Sequence, residues 1–213
     1  MKVLDLEISE RTNERKALIA VGTAIIRGED LSATGSIYIL DVIPVVPDPD
    51  KPETNKALKV IAREECKGAV TALSDIGDEG FLIAAQGQKC IVRGLKEDNS
   101  LLPVAFLDMQ VYISSLKCVK GTGLTLMADA LMGIWFTGFM VRIFTPLLLH
   151  PILISILQGD PYALKLFGKS SPDLQVIAAE VLPQDKQLFL LASDTEGTLH
   201  VLEFNPESIL HSL

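Results

Sequence analysis

Catalysis needs acids, bases, nucleophiles or metal ligands in groups, and this sequence offers few groups. Its three histidines are His150, His200 and His211. His200 lies in an alternating apolar stretch and reads as a structural or surface residue. No Cys-x-x-Cys or His-x-x-x-His spacing occurs, so no zinc site is expected. Asp48, Asp50 and Glu53 cluster in one loop. A calcium ion takes six to eight oxygens, and three carboxylates on one loop read as solvated charge. Asp5/Glu7 and Glu64/Glu65 could form general acid/base pairs. Nothing around them points to a raised pKa, so both read as exposed charge.

Two glycine-containing stretches look like phosphate loops and fail on inspection. Gly121-Thr122-Gly123 lacks the third glycine and the helix of a dinucleotide loop, and reads as a turn. Gly168-Lys169-Ser170 has the tail of a phosphate loop, but Ala163 stands where the earlier glycine is required. Trp135 lies in an apolar run and reads as a packing residue. The expectation is no catalytic residue, no cofactor and no metal: the chain is not an enzyme.

Charge points the same way. The formal net charge is −8 over 213 residues, a poor electrostatic match to a polyphosphate. Any RNA contact must then be local, and no dense Lys/Arg run marks one. The cysteines are Cys66, Cys90 and Cys118, odd in number and widely spaced. With no secretory signal at the start, they imply a reducing compartment.

The elements that position these residues are short and β-rich. Apolar runs near 3–8, 18–21, 36–42, 57–62, 69–73, 81–85 and 89–95 are divided by Gly, Asp and Asn turns. Further runs follow at 102–107, 111–113, 116–119, 124–128, 133–137, 164–167, 174–181, 188–192 and 198–204. Gln86-Gly87-Gln88 and Asp194-Thr195-Glu196-Gly197 are hairpin turns. Residues 46–55 hold three prolines and four charges and form a loop, the best exposed contact the sequence offers. One theme recurs: Leu18-Ile19-Ala20-Val21-Gly22, Leu82-Ile83-Ala84-Ala85, Leu124-Thr125-Leu126-Met127-Ala128 and Leu188-Phe189-Leu190-Leu191-Ala192. These runs start about 64, 42 and 64 residues apart, against the roughly 40–45 residues of a four-stranded propeller blade. The fold class expected is all-β: a partial, WD-repeat-like β-propeller of three to four blades, incomplete at its C-terminal end.

Residues 139–157 read FMVRIFTPLLLHPILISIL. The uncharged run 143–157 is fifteen residues long and broken by Pro146 and Pro151, whereas a membrane helix needs about 20. Membrane association through 143–157 is the alternative of a different class. Blade-like sequence flanks the segment on both sides. Removing 141–158 brings the last spacing to about 46, close to one blade. The segment therefore reads as foreign or inserted: retained intron sequence, or a real apolar insertion packing on a neighbour.

Several stretches resemble a known family. They include Ala20-Val21-Gly22-Thr23-Ala24, Arg27-Gly28-Glu29-Asp30, Gly35-Ser36-Ile37-Tyr38-Ile39-Leu40-Asp41-Val42 and Glu65-Cys66-Lys67-Gly68-Ala69-Val70-Thr71-Ala72-Leu73. Val104-Ala105-Phe106-Leu107-Asp108, Trp135-Phe136-Thr137-Gly138, Leu166-Phe167-Gly168-Lys169 and Leu199-His200-Val201-Leu202-Glu203-Phe204 continue the likeness. Together they are similar to the C-terminal region of the large subunit of the cleavage and polyadenylation specificity factor, the CPSF A subunit family. The resemblance covers nearly all of 1–213 except about 141–158. It implies a nuclear, non-catalytic propeller scaffold in pre-mRNA 3′-end cleavage and polyadenylation. Its partners would be the other subunits of that machinery, with pre-mRNA possible and no small-molecule substrate. Sister branches, an adaptor of a DNA-damage ubiquitin ligase and a subunit of splicing factor 3b, are the alternatives. The loop at 45–54 with Gly28-Glu29-Asp30 favours the polyadenylation branch. The chain would then be a fragment, begun near the start of this region and stopped before the propeller finishes.

Overall fold

The structure, a computed structural model, describes residues 1–9, 11–29, 31–47, 49–50, 53–141, 162–170, 174–184 and 187–204. Among them every regular element is a strand. The first sheet holds β1 (Lys2–Ser9), β2 (Glu14–Gly22), β3 (Gly35–Pro44) and β4 (Lys56–Cys66) in sequence order. The second holds β5 (Val70–Ile76), β6 (Phe81–Gln86), β7 (Lys89–Leu95) and β8 (Leu101–Asp108). The third holds β9 (Ile113–Cys118), β10 (Leu124–Asp129), β11 (Ile134–Val141) and β12 (Tyr162–Lys169). The fourth has three strands, β13 (Val176–Gln184), β14 (Gln187–Asp194) and β15 (Leu199–Glu203). Every pairing is antiparallel, and each sheet is a meander. The first strands of successive sheets lie side by side, β5 against β9 and β9 against β13. This is an arc of a β-propeller with three four-stranded blades and a three-stranded one, as the sequence predicted.

Strand alternation explains the stacking. Successive side chains point to opposite faces, so a blade between two neighbours needs both faces apolar. In β6, Leu82 and Ala84 enter the core shared with the first blade, while Ile83 and Ala85 enter the core shared with the third. In β10, Met127 faces the second blade, and Leu126 and Ala128 face the fourth. All seven side chains are at most 1 % exposed. Fully burying a Leu, Ile or Met side chain stabilises by roughly 1.5–3 kcal/mol, so these two strands anchor the stack. Polar ties add direction: Thr71 Oγ1 donates to the Ile113 carbonyl at 2.5 Å, and Ser114 Oγ lies 3.0 Å from the Val176 carbonyl.

The four runs that carry the recurrent sequence theme fall in β2, β6, β10 and β14. Each is the second strand of its blade, so the repeat marks one structural position. Two sequence boundaries differ. Residues 111–113 and 116–119 are expected as separate strands, yet a single strand, β9, runs from Ile113 to Cys118, because Ser114 and Ser115 bond across blades rather than make a turn. Strand β2 begins at Glu14, earlier than its apolar run, because Glu14–Lys16 pair with β1. The β11–β12 hairpin is in register as far as Val141 opposite Tyr162. The suspected foreign segment, Val141 apart, lies outside the described residues, as do His150 and His211.

Candidate functional site

Three positions equivalent from blade to blade hold a polar contact at the end of the second strand. In the third blade Asp129 ends β10 and is fully buried. Its Oδ1 accepts from the backbone N–H of Leu131 and Met132 at 2.7 and 2.5 Å, and its Oδ2 accepts from Trp135 Nε1–H at 2.6 Å. In the fourth blade Asp194 ends β14. Its Oδ1 accepts from the N–H of Glu196 and Thr198 at 3.0 and 2.7 Å, and Oδ2 lies 2.8 Å from His200 Nε2. His200 and these backbone donors hold the Asp194 carboxyl below the usual carboxylate range. In the second blade Gln86 ends β6, and its Oε1 accepts from Arg93 Nη2 at 2.5 Å. A side chain that ends one strand thus ties down the turn, a donor on the next strand, or both, which fixes the hairpin.

His200 and Trp135 are therefore hairpin-locking residues, and the sequence reading placed both on structural duty. It missed their acceptors, Asp129 and Asp194. The available signal was an aspartate six positions before a ring N–H donor, present at Asp129–Trp135 and again at Asp194–His200.

The second blade adds a cleft of about 600 Å³ where it meets β4. Glu64 and Glu65 from β4, Lys67 from the linker, Gln86 and Gln88 from the β6–β7 turn, and Arg93 are in its wall. A tight backbone approach builds this corner: a Cβ at Gly68 would stand 2.6 Å from the amide nitrogen of Gly87. Gly87 itself has φ +58° and donates its N–H to the Ala69 carbonyl at 3.0 Å, a conformation glycine adopts at no steric cost. Arg93 is 3 % exposed. Burial lowers its pKa, opposed by the nearby Cys66 and Glu64. The signal for Arg93 was one charge inside the apolar run Cys90-Ile91-Val92-Arg93-Gly94-Leu95.

The other sequence candidates stay apart. Glu64 and Glu65 reach the cleft rim, Glu65 paired with Arg63 at 3.1 Å. Asp5 and Glu7 share β1, at the other end of the chain's first sheet. Gly121-Thr122-Gly123 is the β9–β10 turn, where Thr122 Oγ1 donates to the Val119 carbonyl. Gly168-Lys169-Ser170 closes β12, where Ser170 Oγ accepts from Ile134 N–H at 3.1 Å, and Lys169 sits over the Trp135 ring. The Pro-rich loop is pinned at its base by Val45 N–H donating to the Asn55 carbonyl, with Val46 94 % exposed; Asp48 lies outside the described residues. Among the described residues no three His, Cys, Asp or Glu are placed to hold a metal ion, and no helix is long and apolar enough to cross a membrane.

Among the described residues, the two outer faces of the arc are open. In the first blade Val3, Ile19, Leu40 and Val60 form one cross-strand row. Val3 and Val60 are exposed, as are Val42 and Leu58 two residues along. In the fourth blade Leu191 pairs with Val201, and Val201 and Leu199 are exposed. These are sheet faces apolar enough for a neighbour.

Comparison with known proteins gives the same answer throughout. The profile of a family described as the CPSF A subunit region matches residues 1–211. Protein CFT1 of Coccidioides immitis is 54 % identical over 207 residues, covering 97 % of this chain and 14 % of that protein. Protein cft1 of Neurospora crassa is 51 % identical over 208 residues, covering 97 % and 13 %. Protein cft1 of Schizosaccharomyces pombe is 38 % identical over 206 residues, again covering 97 % and 13 %. The chain spans about one seventh of the length of these relatives.

Proposed function

The chain belongs to the CPSF A subunit family, and from that premise we propose that it is a scaffold segment of the machinery that cleaves and polyadenylates pre-mRNA in the nucleus. The family match over 1–211 carries the reading. The arc supports it physically. Among the described residues, side chains stack blades and lock hairpins, and the outer sheet faces expose apolar residues. Such faces serve assembly: each would bury against further blades of the longer protein or against a partner subunit. With a net charge of −8, protein partners come before RNA. The role is read as non-catalytic: among the described residues Asp129 is engaged in a turn and Ser114 in an interblade tie.

The segment 141–158, less Val141, which pairs within the β11–β12 hairpin, is proposed to be an insertion that the propeller does not use. The supporting observation is the register of Val141 with Tyr162: a hairpin in register on both sides of a connection needs only about 2–5 residues to close.

The test is capture of the tagged chain from a fungal nuclear extract, with mass spectrometry of what it retains. Recovery of polyadenylation subunits is expected. Recovery of ubiquitin-ligase or splicing subunits in their place would move the chain to a sister branch. Recovery of none of these sets would overturn the scaffold role of this segment.

A further inference from the structure

Arg93 carries N–H donors that the described structure does not satisfy. A guanidinium has five N–H donors and stays protonated in proteins. Here Nη2 has Gln86 Oε1, while Nε and Nη1 are buried without a hydrogen-bond partner. Leaving a buried charged donor unpaired is costly, and such a group in a folded protein calls for a specific explanation. A packing role alone does not supply one, because a Leu or Met at Arg93 would fill the same space between blades without that cost.

The cleft beside it supplies the explanation. Arg93 forms part of the wall of the roughly 600 Å³ cleft, with Ile91, Pro103 and Met109 as its apolar lining. That volume suits one or two side chains, not a folded domain. At the rim Lys67 and Lys89 stand against the three carboxylates of Glu64, Glu65 and Asp108, with Lys89 paired to Asp108 at 2.8 Å, so the formal charges of the cleft cancel only with Arg93 included. Three rim carboxylates oppose a polyphosphate chain more than a single carboxylate, and because Arg93 Nε and Nη1 are buried, the contact requires the Arg93 side chain to turn toward the cleft. Arginine is matched to carboxylate by geometry as well as by charge.

We propose that this cleft receives a peptide carboxylate from a partner protein, with Arg93 as its charged contact and Ile91, Pro103 and Met109 packing the adjoining apolar atoms. The carboxylate is either an Asp/Glu side chain or a chain terminus. The inference rests on the geometry of this cleft and stands whichever complex the chain serves.

The experiment follows the Nε–H resonance of Arg93 by NMR in the full chain labelled at arginine, assigned with Arg93→Lys. Four probes are titrated: N-acetyl-glutamate α-amide, N-acetyl-leucine, N-acetyl-glutamine amide and inorganic phosphate. A saturable shift with either carboxylate, at about 1 mM for so small a ligand, and at least tenfold weaker response to the glutamine amide and phosphate, is the expected result. The first probe reports a side-chain carboxylate and the second a terminal one. No shift with either carboxylate overturns the proposal, and so does a response to phosphate as strong as theirs. The readout uses the native protein, so it holds even if Arg93→Lys loosens the fold.

Discussion

The second strands of the inner blades and of the outer blades share one sequence theme and have different fates. In β6 and β10, five of six residues are buried. In β2 and β14 only two residues are buried, Leu18 and Ala20 in one, Leu190 and Ala192 in the other. Their neighbours Ile19, Val21, Phe189 and Leu191 are half-exposed. The composition of all four strands is that of a strand covered on both faces. The difference lies in whether a second neighbour is present. An outer blade is thus a sequence written for two contacts and holding one, which is how quasi-one-dimensional stacks behave at their ends.

The largest test of this contrast is a pair of truncations. Leu126→Ala, in the core between the third and fourth blades, is expected to cost about 2–5 kcal/mol. Leu58→Ala, on the open face of the first blade, should cost no more than about 0.5 kcal/mol, as surface changes do. Urea unfolding of both variants measures the difference. Equal losses would mean that the outer face is covered in solution, and the contrast would fail.

A smaller effect distinguishes the two hairpin locks. Asp129 is buried with three hydrogen bonds, and Asp129→Ala leaves Trp135 Nε1–H and two backbone donors without their acceptor, for about 2–3 kcal/mol. Asp194→Ala should shift the unfolding midpoint in the same direction by less, because water can replace a partly exposed acceptor more readily than a fully buried one. The Asp194 lock should also be sensitive to acid. Its carboxyl is held below its ordinary value by His200 and the turn amides. A lowered folded-state pKa gives stability that is full above the unfolded value, near 3.8, and is lost as pH falls through the folded one. Asp194→Asn should flatten the stability curve in that acid window; an unaltered acid slope would show that the lock carries no linkage.

The smallest effect is expected from deleting 142–158, which leaves residues 159–161 to make the turn. If the propeller does not use the segment, the thermal midpoint should stay within about 2–4 °C, the equivalent of 1 kcal/mol for a chain of this size. Loss of cooperative unfolding would show that the third blade depends on it.

Much of this was legible in the sequence because β-strands advertise their burial by period. Continuous runs such as Leu82-Ile83-Ala84-Ala85 announce strands with two covered faces, and Gly87 and Gly197 announce the hairpins that join them. The continuity of β9 was not legible, because Ser114 and Ser115 look like turn residues until their carbonyl partners on other strands are known. The Asp129–Trp135 and Asp194–His200 locks were half legible: the donors stood out by type, while the acceptors looked like ordinary turn aspartates.

Local sequence by itself determined that the chain is a repeated β-meander, and the likeness of its motifs determined the family. Strand period, turn chemistry and the recurrence of one theme are local properties that the chain carries at every position. Only the tertiary structure decided which blade faces are covered, and that Arg93 is buried beside a cleft with two of its nitrogens unpartnered. Burial and partnership depend on residues such as Glu64 and Gln86 that reach Arg93 from other strands, and no local pattern encodes that meeting.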